Sequence, residues 1–223
     1  MFDGAGLRGI VGHLGRPYLW HYTSIKNLPG IVGEGLIPRS RLPAGSFTDL
    51  ALPTALQNRD RFAPLDCDIC DDRHAIRDLV PLFIAATTPM TALKSDSHSC
   101  FLKIDLNRFL NESTHFAIAD GNVASGPGTT TIYRTPEGIA ELDWTLLAGP
   151  GWKRPGASQA DNKERKRKRS AEVLVTPGVP PAAIVEIRTA DQADRTLAQD
   201  SLSHLESPPP CFVAEKQFFR SGR

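Results

Sequence analysis

Residues 18–28 read YLWHYTSIKNL, and this stretch predicts a short strand that leads directly into a helix. The aromatic and apolar run at 18–22 is typical of a strand. Ser24 has a side chain preferred at a helix N-cap, and Pro29 falls in the first turn, where its missing N–H costs little. The helix predicted after Ser24 carries its apolar residues on one face: Ile25, Leu28, Ile31 and Val32.

Further short strands follow along the chain, without regular alternation of strand and helix. The segment 54–61 suits a short polar helix, and 142–144 lie in another. The apolar or β-branched segments that predict strands are 79–86, 101–104, 116–118, 173–175 and 183–188. Because βαβ alternation is absent, the sequence predicts an α+β fold, with helices grouped near the N-terminus.

Length and composition indicate one globular domain. The 223 residues are 40% hydrophobic and 23% charged, as is usual for a globular protein. We expect a single domain at 1–206 and a Pro-rich, peripheral C-terminal tail at 207–223, and we expect 150–162 to be a mobile loop. No apolar stretch approaches the ~18 residues of a membrane helix. The first residues lack the pattern of a signal peptide, so we expect a cytoplasmic protein with no membrane partner.

Charge is concentrated in one short strip. Residues 163–169 read KERKRKR and carry +5, although the net charge of the chain is only +1. The remainder of the chain is therefore mildly acidic. This asymmetry favours a local anionic partner, and the alternative is a solvated, disordered loop.

Four cysteines raise the question of a metal site. Cys67 and Cys70 have CxxC spacing, and His74, His98 and Cys100 follow. The alternative is an acidic surface turn, since the surrounding sequence is DCDICDDR and a second CxxC is missing. We predict free thiols and no bound metal, and a zinc-stabilised module stays open as an alternative.

The P-loop, zinc-protease and hydrolase fingerprints are absent from the sequence, which contains no GxxxxGK[ST], HExxH or GxSxG. The spacing GxGxxG occurs once, as GAGLRG at 4–9, which is a weak signal by itself. We therefore expect any use of a nucleotide to rest on another architecture. His21 and Thr23 close a strand just ahead of a helix, a position suited to holding a phosphate or ribose. The alternative for His21 is a core histidine with its hydrogen bonds satisfied.

Two further features could carry chemistry. Gln57 and Arg61 have i, i+4 spacing on the polar segment, where an arginine could clamp a diphosphate, or the segment could be a solvated helix face. Glu172 stands between Ala171 and the apolar residues 173–175, directly after the basic strip. Burial raises the pKa of a carboxyl and nearby cations lower it, as happens at catalytic acids and also in plain ion pairs.

Taken in chain order, these features resemble the DarT-type ADP-ribosyltransferases, toxins that transfer ADP-ribose from NAD to bases in DNA. The resemblance extends over about 18–188. It rests on HYTSIKNL at 21–28, DLVPLF at 78–83 with TPM at 88–90, DGN at 120–122, LDW at 142–144 with Trp152, and AEVLV at 171–175.

The resemblance implies an ADP-ribosyltransferase-like core that uses NAD as co-substrate, with no metal. It implies that His21 and Thr23 help to hold NAD, that Met90 lines the nicotinamide side and that Glu172 is the catalytic acid residue. We also place Asn27 and Gln57 in the NAD-binding set.

The essential arginine of the family lies in a Gln-x-Arg-Arg pattern, from which this chain departs. Here the residues read Gln57-Asn-Arg59-Asp-Arg61. Either Arg59 or Arg61 could take over, and Arg61 is favoured because its spacing places it on the helical face of Gln57.

The predicted reaction breaks the bond between nicotinamide and ribose. A carboxylate at Glu172 would stabilise the oxocarbenium-like centre and accept a proton from the incoming nucleophile. The strip would hold the phosphate backbone of single-stranded DNA, whose bases are unpaired. The predicted contacts are Lys163, Arg165, Lys166, Arg167, Lys168 and Arg169.

The resemblance also implies a partner, an antitoxin that removes ADP-ribose. Two alternatives stay open at this point. One is an ADP-ribosyltransferase that acts on RNA or protein, and the other is a non-enzymatic nucleic-acid-binding module in which the strip is the entire function.

Overall fold

The computed structural model describes residues 1, 3–51, 53–67, 73–89, 98–110 and 113–218. Met90 and Cys70 lie outside these ranges. The described strands are β1 (Tyr18–Ser24), β2 (Leu65–Asp66), β3 (Arg73–His74), β4 (Val80–Phe83), β5 (Ser99–Asp105), β6 (His115–Ala119), β7 (Ile132–Tyr133), β8 (Glu172–Thr176), β9 (Ile184–Thr189) and β10 (Cys211–Val213). The described helices are α1 (Gly4–Leu14), α2 (Leu28–Glu34), α3 (Pro53–Asp60), α4 (Trp144–Ala148), α5 (Gln159–Lys168) and α6 (Gln192–Ser201).

Eight of the strands form one sheet, in the order β10-β9-β5-β1-β4-β8-β6-β7. Neighbours are antiparallel except β9 and β10, and β2 and β3 form a separate ribbon. β1 and β5 stay in register from Tyr18↔Asp105 to Ser24↔Ser99, whereas β1 and β4 register only at Trp20↔Phe83. The sheet is therefore nearly split between β1 and β4.

The two faces of the sheet carry different cores. The largest hydrophobic cluster contains Leu19, Leu82 and Val173. Their neighbours Trp20 and Phe83 belong to an aromatic cluster, because successive side chains of a strand point to opposite faces. Glu172 is in register with Phe83, so its side chain shares the aromatic face and not the main core.

The strand and helix predicted around residues 18–35 are confirmed. The side chain of Ser24 accepts a hydrogen bond from the Lys26 N–H and caps a short 3-10 turn, from which α2 continues with Pro29 in its first turn. Gly35 ends α2 at φ +93°, and a Cβ there would stand 2.3 Å from the Val179 oxygen. Only glycine fits this turn without rearrangement.

The α+β class is confirmed, but the grouping of helices near the N-terminus is wrong, since α4, α5 and α6 lie in the C-terminal half. α5 begins inside the segment expected to be a loop. Ser158 caps it by accepting from the Asp161 N–H, and its basic residues fill the last turn, where they favour the helix dipole. α5 is polar on all sides, so the sequence has no apolar periodicity there from which a helix could be predicted.

The described part of the tail is not peripheral to the sheet. β10 pairs in parallel with β9, and the ring of Phe218 lies 5.2 Å from that of Phe101. The Gln217 side chain donates to the Ala86 oxygen at 2.6 Å. β10 has only three residues and follows a proline run, so it shows no alternating pattern from which a strand could be predicted. Within the described ranges, no helix has the length and apolar character required to cross a membrane.

Candidate active site

Glu172 is the first residue of β8 and is completely buried, opposite Phe83 and Ala119. Its Oε2 accepts a hydrogen bond from the Val123 N–H at 3.2 Å. Its Oε1 is buried and has no hydrogen-bond partner among the described residues. Half of the carboxyl group is therefore fixed by the protein, and the other half is left for a ligand.

Burial raises the pKa of Glu172 to about 7, although the positive charge of Arg59 and the Val123 N–H both act to lower it. Desolvation penalises the charged form of a buried carboxyl. The group therefore changes protonation near neutral pH, which is the range in which a carboxyl can both give and accept a proton.

Arg59 lies close enough to Glu172 and to His21 for its charge to act on both. Its Nε is buried and has no hydrogen-bond partner within the described ranges. The preceding residue, Asn58, anchors α3 by donating to the Ala124 oxygen at 3.0 Å. The structure therefore groups Arg59 with the two other candidate residues.

Gln57 and Arg61 are both exposed. Because α3 ends at Asp60, Arg61 is the first residue beyond the helix, and the i, i+4 argument that favoured it does not hold. The geometry favours Arg59 over Arg61 for the NAD site, which reverses the preference drawn from spacing.

His21 is held in one orientation by a neighbouring strand. Its Nδ1 lies 3.0 Å from the Pro81 oxygen, and a carbonyl can only accept, so Nδ1 carries the proton. Burial lowers the pKa of His21 to about 4, the Pro81 carbonyl raises it and the Arg59 charge lowers it further. His21 is therefore neutral at pH 7, with an Nε2 lone pair that can accept a hydrogen bond.

Asn27 is fully used inside the protein. Its amide donates to Thr23 Oγ1 at 3.0 Å and to the Thr48 oxygen at 2.9 Å, and its Oδ1 accepts from the Thr48 N–H at 2.7 Å. These bonds tie the loop at Thr48 to the end of β1. The geometry gives Asn27 a positioning role beside Thr23 rather than a contact with NAD.

Asn122 is a further candidate residue that the sequence indicated only as the last residue of the DGN turn. Its Oδ1 accepts from the Ala124 N–H at 2.7 Å, and its backbone oxygen accepts from Thr130. Its Nδ2 is buried and has no hydrogen-bond partner among the residues described. The next residue, Val123, donates the backbone N–H that binds the Glu172 carboxyl group. The turn therefore places the Asn122 amide donor beside the residue that orients Glu172.

The basic strip divides into two groups. Lys163 and Lys166 are exposed, and Lys168 is partly exposed. The arginines point to protein partners: Arg165 donates to the Trp152 oxygen at 2.8 Å, and Arg167 pairs with Asp120 and Glu164. Only the lysines are thus placed on a surface that a nucleic acid can reach without breaking these bonds.

Arg169 is 3% exposed, and its guanidinium lies in the protein interior. It donates to the Thr87 oxygen at 3.0 Å, to the Leu147 oxygen at 2.8 Å and to the Leu146 oxygen. We therefore leave Arg169 out of the DNA-contacting surface, because carbonyl groups of the protein already take its donors.

The described residues contain no group of three or more His, Cys, Asp or Glu side chains placed to hold a metal ion. Cys67, Cys100 and Cys211 are buried free thiols. Cys70, the second cysteine of the CxxC pair, lies outside the described ranges, so the pair itself is not described.

The residues around Glu172 fit a dinucleotide. Three of their buried polar atoms lack partners among the described residues: Glu172 Oε1 is an acceptor, and Arg59 Nε and Asn122 Nδ2 are donors. A nicotinamide dinucleotide offers hydroxyl and amide donors together with phosphate and carbonyl acceptors. A cavity of about 590 Å³ elsewhere, lined by Arg41, Arg108 and residues 177–180, lies at the far end of β8 from Glu172.

Comparisons with known proteins identify the family. The model of the family described as "ssDNA thymidine ADP-ribosyltransferase, DarT" matches residues 20–219. A "DNA ADP-ribosyl transferase" of Mycobacterium tuberculosis is 27% identical over 176 residues, which cover 73% of this chain and 71% of that protein.

Three solved structures share the fold. Thermus sp. 2.9 DarT in complex with NAD+ has a TM-score of 0.66 at 20% identity, covering 91% of this chain and 98% of that one. The same protein in complex with ADP-ribosylated ssDNA gives 0.69 at 20% identity, covering 92% and 97%. Thermosipho africanus DarTG in complex with ADP-ribose gives 0.70 at 19% identity, covering 92% of this chain and 52% of that chain.

The family model extends over most of the chain, and the fold agrees with that of the solved DarT structures. The chain therefore belongs to the DarT family, and it is an NAD-dependent ADP-ribosyltransferase that acts on single-stranded DNA.

Proposed function

We propose that this chain transfers ADP-ribose from NAD to thymidine in single-stranded DNA, with Glu172, Arg59 and His21 as the residues that carry the reaction. One observation carries the assignment. Glu172 is buried with one oxygen held by Val123 and the other without a partner among the described residues, in the field of Arg59. The identity of the base is supported by the family description.

Glu172 faces the reacting carbon. NAD supplies a ribosyl carbon bonded to a leaving nicotinamide. The free Oε1 of Glu172 opposes the positive charge that develops at this carbon, and it accepts the proton that the attacking base loses. The bond from Val123 keeps the carboxyl group in one orientation, so little reorganisation is needed.

Arg59 and His21 hold the donor. The guanidinium of Arg59 offers an unpaired Nε–H toward a phosphate or a carbonyl. The neutral ring of His21 offers Nε2 to a ribose hydroxyl, because Nδ1 is engaged by Pro81. Thr23 stays in the NAD-binding set, with Asn27 holding its hydroxyl group. Met90 and Gln57 remain sequence predictions of contacts to NAD, and we propose Arg59 in place of Arg61.

The exposed lysines of α5 hold the DNA backbone. Lys163, Lys166 and Lys168 lie on the helix that ends four residues before Glu172. A phosphate chain held there places a neighbouring base near the carboxyl group. Arg165 and Arg167 fix the helix against Trp152 and Asp120, which gives this surface a defined position.

The biological setting we propose is a toxin with an antitoxin that removes ADP-ribose. The DarTG chain of Thermosipho africanus supports this, since it has about twice the length that this chain covers and was solved with ADP-ribose. Co-expression with an ADP-ribose-removing protein should restore growth to cells that express this chain. Growth arrest that such a partner does not relieve would contradict the pairing.

The decisive experiment uses purified protein, NAD and oligonucleotides that differ at one position. A single-stranded DNA with one thymidine should gain one ADP-ribose in mass spectrometry, and the same DNA with that thymidine replaced should gain none. Glu172→Gln is the inactive control. An RNA of the same sequence tests the alternative substrate, and modification of RNA or protein in preference to DNA would overturn the proposal.

A further inference from the structure

Trp20 and three arginines form a connected cluster outside the residues assigned to the reaction, and Arg188 is the arginine in contact with Trp20. The guanidinium carbon of Arg188 stands 4.6 Å from the centre of the Trp20 ring. Arg188 also donates to Gln217, which in turn donates to the Ala86 oxygen, and Arg169 donates to the next oxygen, that of Thr87. The segment after β4 therefore connects Arg169 with Arg188.

The third arginine, Arg16, lies within the electrostatic field of the other two. Burial lowers the pKa of Arg16, and the Arg188 charge lowers it further. Burial lowers the pKa of Arg169 to about 10, with the Arg16 charge as a second cause. The acid that pairs with Arg188, Glu186, is shared with Lys103. The cluster consequently carries an excess of positive charge.

Two donors of this cluster lack acceptors. Trp20 is 2% exposed, and its indole Nε1 has no hydrogen-bond partner among the described residues. The Nε of Arg16 is likewise buried without one. Both groups are donors only, so each of them needs an acceptor. A buried donor without an acceptor costs free energy, which a ligand with acceptor oxygens would recover.

The cluster lies beside the candidate active site. Trp20 is in register with Phe83, and Phe83 is in register with Glu172, so all three share one face of the sheet. Adjacent strands are ~4.8 Å apart, which puts the Trp20 backbone about 10 Å from that of Glu172. That distance is within the reach of one nucleotide.

We propose that Arg16, Trp20 and Arg188 form a binding site for a phosphate group of a nucleotide. Arginine and an indole N–H supply donors of the kind that phosphate oxygens accept, and the excess positive charge balances the anion. The phosphate belongs either to the DNA strand next to the modified base or to the diphosphate of NAD. That the phosphate comes from DNA or from NAD rests on the proposed function. That the site binds phosphate rests on the donors and the positive charge described above.

The test measures binding without turnover, in a Glu172→Gln background. Arg16→Gln and Arg188→Gln are compared with Arg8→Gln, which removes the same charge from an exposed position of α1. The probes are a labelled oligo(dT) and NAD, each titrated alone. Each cluster variant should weaken one probe about ten-fold, as expected for a hydrogen bond to a charged group, with the control within two-fold.

The two probes identify the source. Weaker oligo(dT) binding with a salt dependence flatter by about one unit assigns the site to the DNA backbone. Weaker NAD binding at unchanged oligo(dT) affinity assigns it to the diphosphate. Unchanged affinity for both probes in Arg16→Gln, Arg188→Gln and the double variant overturns the site.

Arg188→Lys keeps the test valid if Arg188→Gln fails to fold, because it retains the charge and removes the planar donor pair. Melting curves of each variant identify a folding failure. Since none of these measurements requires transfer, a failure of the Glu172 mechanism would leave their outcome intact, and the two proposals fail independently.

Discussion

The start of β8 and the helix that precedes it are adjacent in the chain but treat their charged groups in opposite ways. At Glu172 a buried carboxylate oxygen lacks a partner among the described residues. In the strip at 163–169, the arginines are all bonded to protein groups, and the exposed cations are Lys163 and Lys166. A charged group without a protein partner is therefore the better candidate for chemistry, and a dense run of charges along the chain is no guide when its members are paired.

The largest expected effect is the loss of activity in Glu172→Gln. Removing the carboxylate of Glu172, whose Oε1 has no partner among the described residues, should lower the transfer rate roughly 10²–10⁴-fold, because the interaction it makes exists chiefly in the transition state. NAD affinity should change little. Mass spectrometry of the oligonucleotide and calorimetry with NAD measure the two effects. Glu141→Gln, at an exposed position, is the matched control. A near-parental rate in Glu172→Gln would contradict the mechanism.

The pH dependence of stability sharpens the same comparison. The folded-state pKa of Glu172 is about 7, above its ordinary value of 4.5, so the native state binds the proton more tightly. Stability from this group is therefore complete below pH 4.5 and is lost as the pH rises through 7, by roughly 3 kcal/mol. Urea melts at pH 5 and pH 8 should show this loss in the parent and not in Glu172→Gln. An equal loss in both proteins would place its cause elsewhere.

Arg59, whose Nε is buried, and the exposed Arg61 offer a further comparison of two charged side chains. Arg59→Ala should weaken NAD binding ten- to hundred-fold, as expected when a charge-assisted hydrogen bond worth about 1.5–3 kcal/mol is lost. Arg61→Ala, which removes an exposed side chain beyond α3, should change it less than three-fold. Calorimetric titration of the two variants measures the difference. The reverse order would restore the prediction made from spacing.

Within the strip, Arg169 and Lys166 should affect different properties. Arg169→Gln leaves buried carbonyl groups of α4 without their donor, so it should destabilise the fold by about 2 kcal/mol. Lys166→Gln should change stability by less than about 0.5 kcal/mol. Chemical denaturation of both variants provides the measurement. Equal destabilisation of the two variants would contradict the structural role given to the buried Arg169.

The smallest effect concerns the exposed lysines. Replacing Lys163, Lys166 and Lys168 by Gln should lower the salt dependence of oligo(dT) binding by about 2 units, since each phosphate contact on a single strand contributes about 0.7. NAD affinity should be unchanged. The control replaces three exposed cations away from α5: Arg8, Arg77 and Lys216. A salt slope equal to that of the parent would remove α5 from the DNA-binding surface.

Much of the framework could be read from the sequence. The strand at 18–22, the cap at Ser24 and the strand after Glu172 follow from local patterns, which regular secondary structure reproduces. Glu172 was recognisable because a charge at the mouth of an apolar strand breaks the pattern. The family resemblance ordered these features into one site.

Other features depend on contacts that no local pattern records. The choice between Arg59 and Arg61 depends on whether α3 ends at Asp60 or one residue later, and sequence patterns do not place a helix end that sharply. Asn27 looks like a ligand-binding amide until its three bonds to Thr23 and Thr48 are known. α5 lacked an apolar period, and β10 was too short to show one.

The single registered pair between β1 and β4 gives the sheet two internal edges. Beyond Trp20↔Phe83 the facing backbones of these strands are not paired with each other in register. Amide hydrogens on these edges should therefore exchange with solvent faster than those between β1 and β5, and a ligand that lies in the gap should slow them. Recognition through main-chain groups survives side-chain replacement, so alanine scanning of β1 would not detect a ligand that binds to these backbone edges.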